Sequence, residues 1–394
     1  MPLFPALLAC PAQLRYTVHS WQSSILNGDI IMHIQKSVYT ERLARLQELM
    51  EKSDVASVII PPGPNFFYLT GFETESMERL AAMIVTGHGI IAICPDLMKE
   101  QLLANSWIDE IRSWNDAQDP YSMIKNLVPR GRVAIDGSLP YMHYARMHRF
   151  LAGEDILADD LMAKLRIMKD EHEISAIAEA VRRSEAALQD TIETLVPGMT
   201  EISIARRLEE KFAERGLQGP AFQTIVASGP NSSIPHHVPG NRKLDYGDIL
   251  LMDFGGRYNG YASDITRTFF LGNVPEGFRE IYEAVRDANE TARGIIAPGV
   301  EYQEMDAAAR KVISGRGFGK FFIHRLGHGL GISVHEDPYL VAGNTSMVQE
   351  NGVFTIEPGI YIQGKGGVRI EDTNRFDGKS CTAFNGFTRD LTVI

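Results

Sequence analysis

Cysteine is scarce in this chain. Its three residues, Cys10, Cys94 and Cys381, are odd in number and far apart. That spacing excludes a disulfide framework and a thiolate metal site, and fits a reducing cytoplasm. An excess of positive charge is also missing. Lysine and arginine total 39 against 50 aspartates and glutamates, for a net charge of −11. No nucleic-acid footprint is expected, and any basic site must be local. No apolar run approaches the ~18 residues of a membrane span, so no membrane partner is expected either. What remains, 394 residues with 44% apolar and 23% charged, is the composition of a globular protein long enough for two domains.

The opening MPLFPALLACPAQLRY carries a short apolar run ending at Cys10, but the run is too short for a signal peptide, contains Pro5 and lacks a basic lead. Residues 1–31 are expected to form a disordered extension, with Met32 opening the folded protein. From Tyr39, ERLARLQELMEKSD has the periodicity of an amphipathic helix. Val55-Ala-Ser-Val-Ile-Ile before Pro61-Pro62-Gly63-Pro64 reads as a strand ended by a turn. Similar alternation through AAMIVTGHGIIAICP and RVAIDG predicts an α/β domain over residues 32–158, with no catalytic cluster in it. A long helical stretch from Ser175 to Leu195 then opens a second domain, residues 159–394.

In that domain MDFGGRYNGYASDITRTFF, residues 252–270, places Asp253 and Asp264 in an otherwise apolar run. Asn259-Gly260 is a strong hairpin signal between two segments rich in β-branched and aromatic residues. With that turn centre, Tyr258 faces Tyr261, Asp253 faces Thr266 and Asp264 faces Gly255. The two aspartates become diagonal neighbours on one face, roughly 7–8 Å apart at the backbone, where they repel unless a cation lies between them. A bulge at Gly255-Gly256 would turn one of them away.

The domain also repeats itself. The twenty residues from Pro197-Gly198 align with those from Pro298-Gly299 at an offset of 101, and ILLMDFGG around Asp253 has a counterpart in VFTIEPGI around Glu357 at an offset of 104. Each unit reads as helix, connection, then a strand ending in a carboxylate and a hairpin. The second hairpin turns through Gly364-Lys365-Gly366-Gly367 and returns to Glu371. Two related hairpins would aim Asp253, Asp264, Glu357 and Glu371 at one point. Between them FFIHRLGHGLGISVHEDP holds His324, His328 and His335, with glycines that permit close backbone approach. One imidazole and four carboxylates without thiolate form a hard, oxygen-rich shell. It suits divalent cations, Mn2+ or Co2+, with Zn2+ or Fe2+ as alternatives.

These stretches, MDFG, DITRTF, GHGLG, TIEPG and RIED, resemble those of the pita-bread metallopeptidases, which include methionine aminopeptidase, aminopeptidase P and prolidase. The resemblance runs from about residue 39 to the end. It implies an α/β N-terminal domain and an α+β pita-bread (creatinase/aminopeptidase-like) catalytic domain with a pseudo-two-fold repeat. It further implies that Asp253 chelates one metal, that His328 and Glu357 bind the second, and that Asp264 and Glu371 bridge both. Two cations sharing a water lower its pKa and polarise the scissile carbonyl.

Glu357 would take and pass on the proton. His236, in SGPNSSIPHHVPGNR, would contact the peptide, with His237 as a solvent-facing neighbour. His335 would support the tetrahedral oxyanion, and His324 would lie near the carboxylate or leaving group. Arg369 would orient Glu371 or the substrate, unless it is an ordinary strand salt bridge. Tyr361 and Thr266 would stand behind the ligands. The expected activity is that of a cytoplasmic, homodimeric Xaa-Pro dipeptidase (prolidase), acting on small peptides with proline second. Aminopeptidase P, cutting the same bond in longer peptides, is the alternative. Metal-free relatives such as creatinase or an ectoine hydrolase lose several of the five ligands, as would a peptide- or histone-binding module, whereas all five stand here.

Overall fold

The computed structural model describes residues 36–394. The expected extension at 1–31, Met32 and Cys10 lie outside the described residues. The first helix, Lys36–Lys52, buries Leu43, Leu46 and Met50 at the predicted spacing. It leads into a six-stranded mixed sheet with the order Ile111–Trp114, Gly89–Pro95, Ala82–Thr86, Val55–Ile60, Arg132–Ile135, Asp155–Leu157. The prolines after Ile60 do more than turn the chain. Pro64 occupies the first turn of a short helix, Pro64–Thr70, where its missing N–H costs nothing.

The second half is built from two helix pairs and a four-stranded, a five-stranded and two two-stranded sheets. Helix Glu171–Ile192 is started by a capping box in which Asp170 and Glu173 satisfy each other's backbone N–H groups. It packs with Glu201–Glu214, and Phe278–Gly294 packs with Tyr302–Gly315. Phe278–Gly294 turns Ile281, Val285, Ala288 and Ala292 inward, one apolar stripe against the sheet strands Gly352–Ile356 and Gly366–Arg369.

The repeat holds at the level of individual backbone hydrogen bonds. Glu201 N–H donates to Arg242 O, and Tyr302 N–H donates to Ser346 O; Ile202 donates to Gly240, and Gln303 to Asn344. The helix starts are displaced by 101 positions and their partners by 104, the two offsets read from the sequence. Gly198 and Gly299 adopt φ of 91° and 88°, the left-handed turn that admits each second helix.

The first hairpin keeps the expected register. Tyr261 pairs with Tyr258, and Thr266 with Asp253, so no bulge intervenes. Asn259 and Gly260, at φ of 49° and 80°, form the turn. The ladder is interrupted around Gly255 because the backbones crowd: a Cβ at Gly255 would lie 1.8 Å from Ser263 O. In the second hairpin Gly359–Ile362 pairs with Gly366–Arg369, so the turn centres on Gly364, and Gly366 and Gly367 already belong to the returning strand. The register places Glu357 opposite Glu371. The two hairpins meet where Glu371 N–H donates to Thr266 O at 3.1 Å, which brings all four acids to one seam. Among the described residues no helix is long and apolar enough to cross a membrane.

Candidate metal centre

A cavity of about 780 Å3 opens over this seam, lined by Asp253, Asp264, His328, Glu357 and Glu371 and by His236, His324, His335 and Arg369. Ligand atoms of Asp264, His328 and Glu371 lie within 4.8 Å of one another. The His328 Nε2 is 3.3 Å from Glu357 Oε1 and 3.6 Å from Asp264 Oδ2. Its Nδ1 sits 3.1 Å from the Gly329 carbonyl, which can only accept; Nδ1 therefore carries the proton, and Nε2 is the atom presented to the acids. Gly327 and Gly329 allow this strand to lie against its neighbours, since a Cβ would meet Thr355 O at 2.1 Å and Asp337 O at 2.2 Å.

The electrostatics are those of acids crowded out of water. Burial, then the charges of Glu371, Asp253 and Glu357, hold the Asp264 carboxyl well above its usual range. Burial, then Glu357 and Asp253, do the same to Glu371. Asp253 is raised by burial, although Arg369 pulls it back. Burial would raise Glu357 too, but the protonated form of His328, hydrogen-bonding from Nε2 and carrying charge, brings it down to about 2. Asp253 Oδ1 is buried with no hydrogen-bond partner. An ionised oxygen so placed costs several kcal/mol unless a cation meets it. With hard oxygen donors around one imidazole nitrogen, these residues fit divalent cations.

Around the acids the polar groups form a continuous chain. Arg369, 2% exposed, pairs with Asp253, donates from Nε to Thr266 Oγ1 at 3.0 Å and from Nη1 to the Tyr361 hydroxyl at 2.7 Å. No hydrogen bond or ion pair joins it directly to Glu371. Thr266 makes that contact, donating to Glu371 Oε2 at 2.6 Å. Nor is Arg369 an ordinary strand salt bridge, because its partner is one of the converging acids. His324 Nδ1 donates to Arg325 O, so Nε2 accepts from Tyr361 at 3.0 Å. Burial first, then the Arg369 charge against the pull of Glu357, keeps His324 below its ordinary pKa. His335 stands at the open side with its ring 4.2 Å from that of His328. Loss of water, then the charges of His328 and Arg325, push it down.

The neighbouring histidines of the PHH stretch separate. His236 lines the cavity at its exposed rim, whereas His237 is not the solvent-facing residue expected. It turns inward, 2.8 Å from the fully buried Glu201. Glu201 also accepts from Ser228, Asn231 and Gly240, and so ties down the loop that carries His236. A second buried acid escaped sequence reasoning. Glu336, next to His335, is held by Arg166 and by Lys169 at 2.7 Å from the junction between the domains. An acid in the first turn of a helix or beside a histidine is too ordinary a signal to reveal either role.

Comparisons with known proteins give the family of the chain. Residues 175–375 match metallopeptidase family M24, and residues 42–168 match the creatinase/prolidase N-terminal domain. The chain is 35% identical over 364 residues to the "Probable dipeptidase PepE" of Mycobacterium tuberculosis, covering 91% of this chain and 97% of that one. It is 34% identical over 364 residues to the "Xaa-Pro dipeptidase" of Lactobacillus delbrueckii subsp. lactis, covering 89% and 98%. A crystal structure of recombinant prolidase from Thermococcus sibiricus superposes with a TM-score of 0.86 at 36% identity, covering 90% of this chain and 99% of that one.

Proposed function

The chain belongs to metallopeptidase family M24, and from that premise we propose that it hydrolyses the bond before proline in Xaa-Pro dipeptides, the prolidase reaction. The observation that carries this reading is the meeting of Asp253, Asp264, His328, Glu357 and Glu371 in a cavity of about 780 Å3, the size of a small-molecule site. We assign Asp253 to one ion, His328 and Glu357 to a second, and Asp264 and Glu371 to both. The metals are Mn2+ or Co2+, with Zn2+ or Fe2+ as alternatives. When bound, such ions polarise the scissile carbonyl and supply an acidified water.

The chain's own groups do the rest. Glu357, held ionised beside His328, accepts a proton and returns it to the leaving nitrogen. His335, uncharged near neutral pH, hydrogen-bonds the scissile region. His236 meets the peptide at the rim, and His324 stands toward the leaving group, fixed by Tyr361. Arg369 holds Asp253 and Thr266 in place. The reading extends to a cytoplasmic homodimer whose first domain, residues 32–158, helps to close the cleft.

The test compares hydrolysis of Ala-Pro, Ala-Pro-Ala and a longer Xaa-Pro peptide by metal-loaded protein. Cleavage confined to Ala-Pro supports the dipeptidase. Comparable cleavage of all three makes the protein an aminopeptidase P, whose motifs are the same, and cleavage of none returns the chain to the small-amide hydrolases.

A further inference from the structure

The strands that carry Glu357 and Glu371 come apart where these two acids leave them. Ile356 still pairs with Asp372, and Gly359 with Arg369, but between those pairs the backbone turns to other partners. Glu357 N–H donates to Leu326 O at 2.8 Å and Glu371 N–H to Thr266 O at 3.1 Å, while Pro358 has no N–H to give. Into this gap helix Phe278–Gly294 sends Asn289, which is fully buried and lies behind the residues that line the cavity. Its Nδ2 is 2.9 Å from Ile356 O and 3.4 Å from Ile370 O. Carbonyls only accept, so the amide nitrogen must face them. One NH2 group thus joins the two residues immediately before Glu357 and Glu371.

This orientation is costly, because Asn289 Oδ1 is left buried without a hydrogen-bond partner. Leucine has the same branching and no oxygen to strand, so packing alone does not call for an amide here. The first repeat makes a parallel contact. Ser184, fully buried on helix Glu171–Ile192, accepts from Gly256 N–H at 3.1 Å and lies 2.9 Å from the hydroxyl of Ser263, the residue before Asp264. Each helix therefore places one small polar side chain where its hairpin ladder opens beside a converging acid. We propose that Asn289 is a positioning residue that sets the spacing of Glu357 and Glu371 for metal, an assignment that rests on the metallopeptidase reading above. Ligands must be held within roughly 0.5 Å of the productive geometry. Without the amide, two buried carbonyls lose their donor at the point that aims both carboxylates, and the mutual repulsion of the acids spreads them.

The experiment measures Mn2+ binding by equilibrium dialysis, together with urea midpoints, for wild type, Asn289→Leu, Asn289→Ser and Val285→Ala. Val285 is buried on the same helix and serves as a control for lost packing. Asn289→Leu should weaken Mn2+ binding by roughly ten- to a hundredfold, the effect of removing a group that orients a ligand. Its half-activating Mn2+ concentration for Ala-Pro hydrolysis should rise by the same factor, with KM for Ala-Pro unchanged at saturating metal. Asn289→Ser, whose hydroxyl can serve one carbonyl, should fall between, and it decides the matter if Asn289→Leu does not fold. Val285→Ala should lower the urea midpoint and keep wild-type affinity. Unchanged Mn2+ affinity in the Asn289 variants, or an equal loss in Val285→Ala, overturns the assignment and leaves the peptidase reading intact. Wild type that binds Mn2+ but cleaves no Xaa-Pro peptide overturns the peptidase reading alone, and wild type that binds no Mn2+ overturns both.

Discussion

At Asp253 the two carboxylate oxygens have different surroundings: Oδ2 meets Arg369, and Oδ1 is buried with nothing to receive it. Glu371 is similar, 1% exposed, with the Thr266 hydroxyl on Oε2 and three other acids in its field. Side chains so costly to bury are kept for what they hold. Glu371→Ala should therefore fold, since it relieves a like-charge repulsion, yet lose bound metal and turnover together. The loss in kcat/KM should exceed the ~100-fold typical of an outer hydrogen-bonding partner. Elemental analysis and peptide assays check it. Wild type stripped with EDTA should regain activity with Mn2+ or Co2+, and the variant should not. Full activity in Glu371→Ala would remove the ligand assignment.

At the scale of elements, the sequence is informative wherever local chemistry dictates geometry. Asn259-Gly260 specifies a left-handed pair of residues, and counting outward from it fixes which side chain opposes Asp253. The weak repeat, four identities in twenty residues, corresponds to matching helix starts because the shared feature is a Pro-Gly entry rather than a packing surface. The two hairpins nevertheless predict different sensitivities. Gly260 and Gly364 have similar φ, 80° and 73°, but a Cβ at Gly260 would lie 2.4 Å from the Phe67 ring, while at Gly364 it meets nothing within 4 Å. Gly364→Ala should cost about 1 kcal/mol of backbone strain. Gly260→Ala adds overpacking against the first domain, for roughly 2–4 kcal/mol. Urea unfolding of both variants measures the difference, and equal costs would mean that the Phe67 contact is unimportant.

The whole molecule is joined by ion pairs that leave no local trace in the sequence, because their partners lie a hundred or more positions apart. Arg42, in the first helix, gives Nε and Nη2 to Asp170 at 2.9 and 2.7 Å and approaches the Tyr261 hydroxyl at 3.2 Å. Glu173 is 3.8 Å from the same guanidinium, so it receives only a secondary share of that charge. Burial accordingly dominates, and the Glu173 carboxyl is pushed up to about 7 from 4.5. The folded chain then holds a proton that the unfolded chain releases near pH 4.5. This contribution to stability is complete below that pH and is lost as pH rises through 7, up to about 3 kcal/mol in all. Denaturant midpoints should fall between pH 5 and pH 8 in the wild type. Glu173→Gln keeps the acceptor for the Asp170 N–H and cannot ionise, so its midpoints should fall less over that range. An unchanged slope in the variant would mean that Glu173 is already ionised at the seam and paired to Arg42 in spite of its burial.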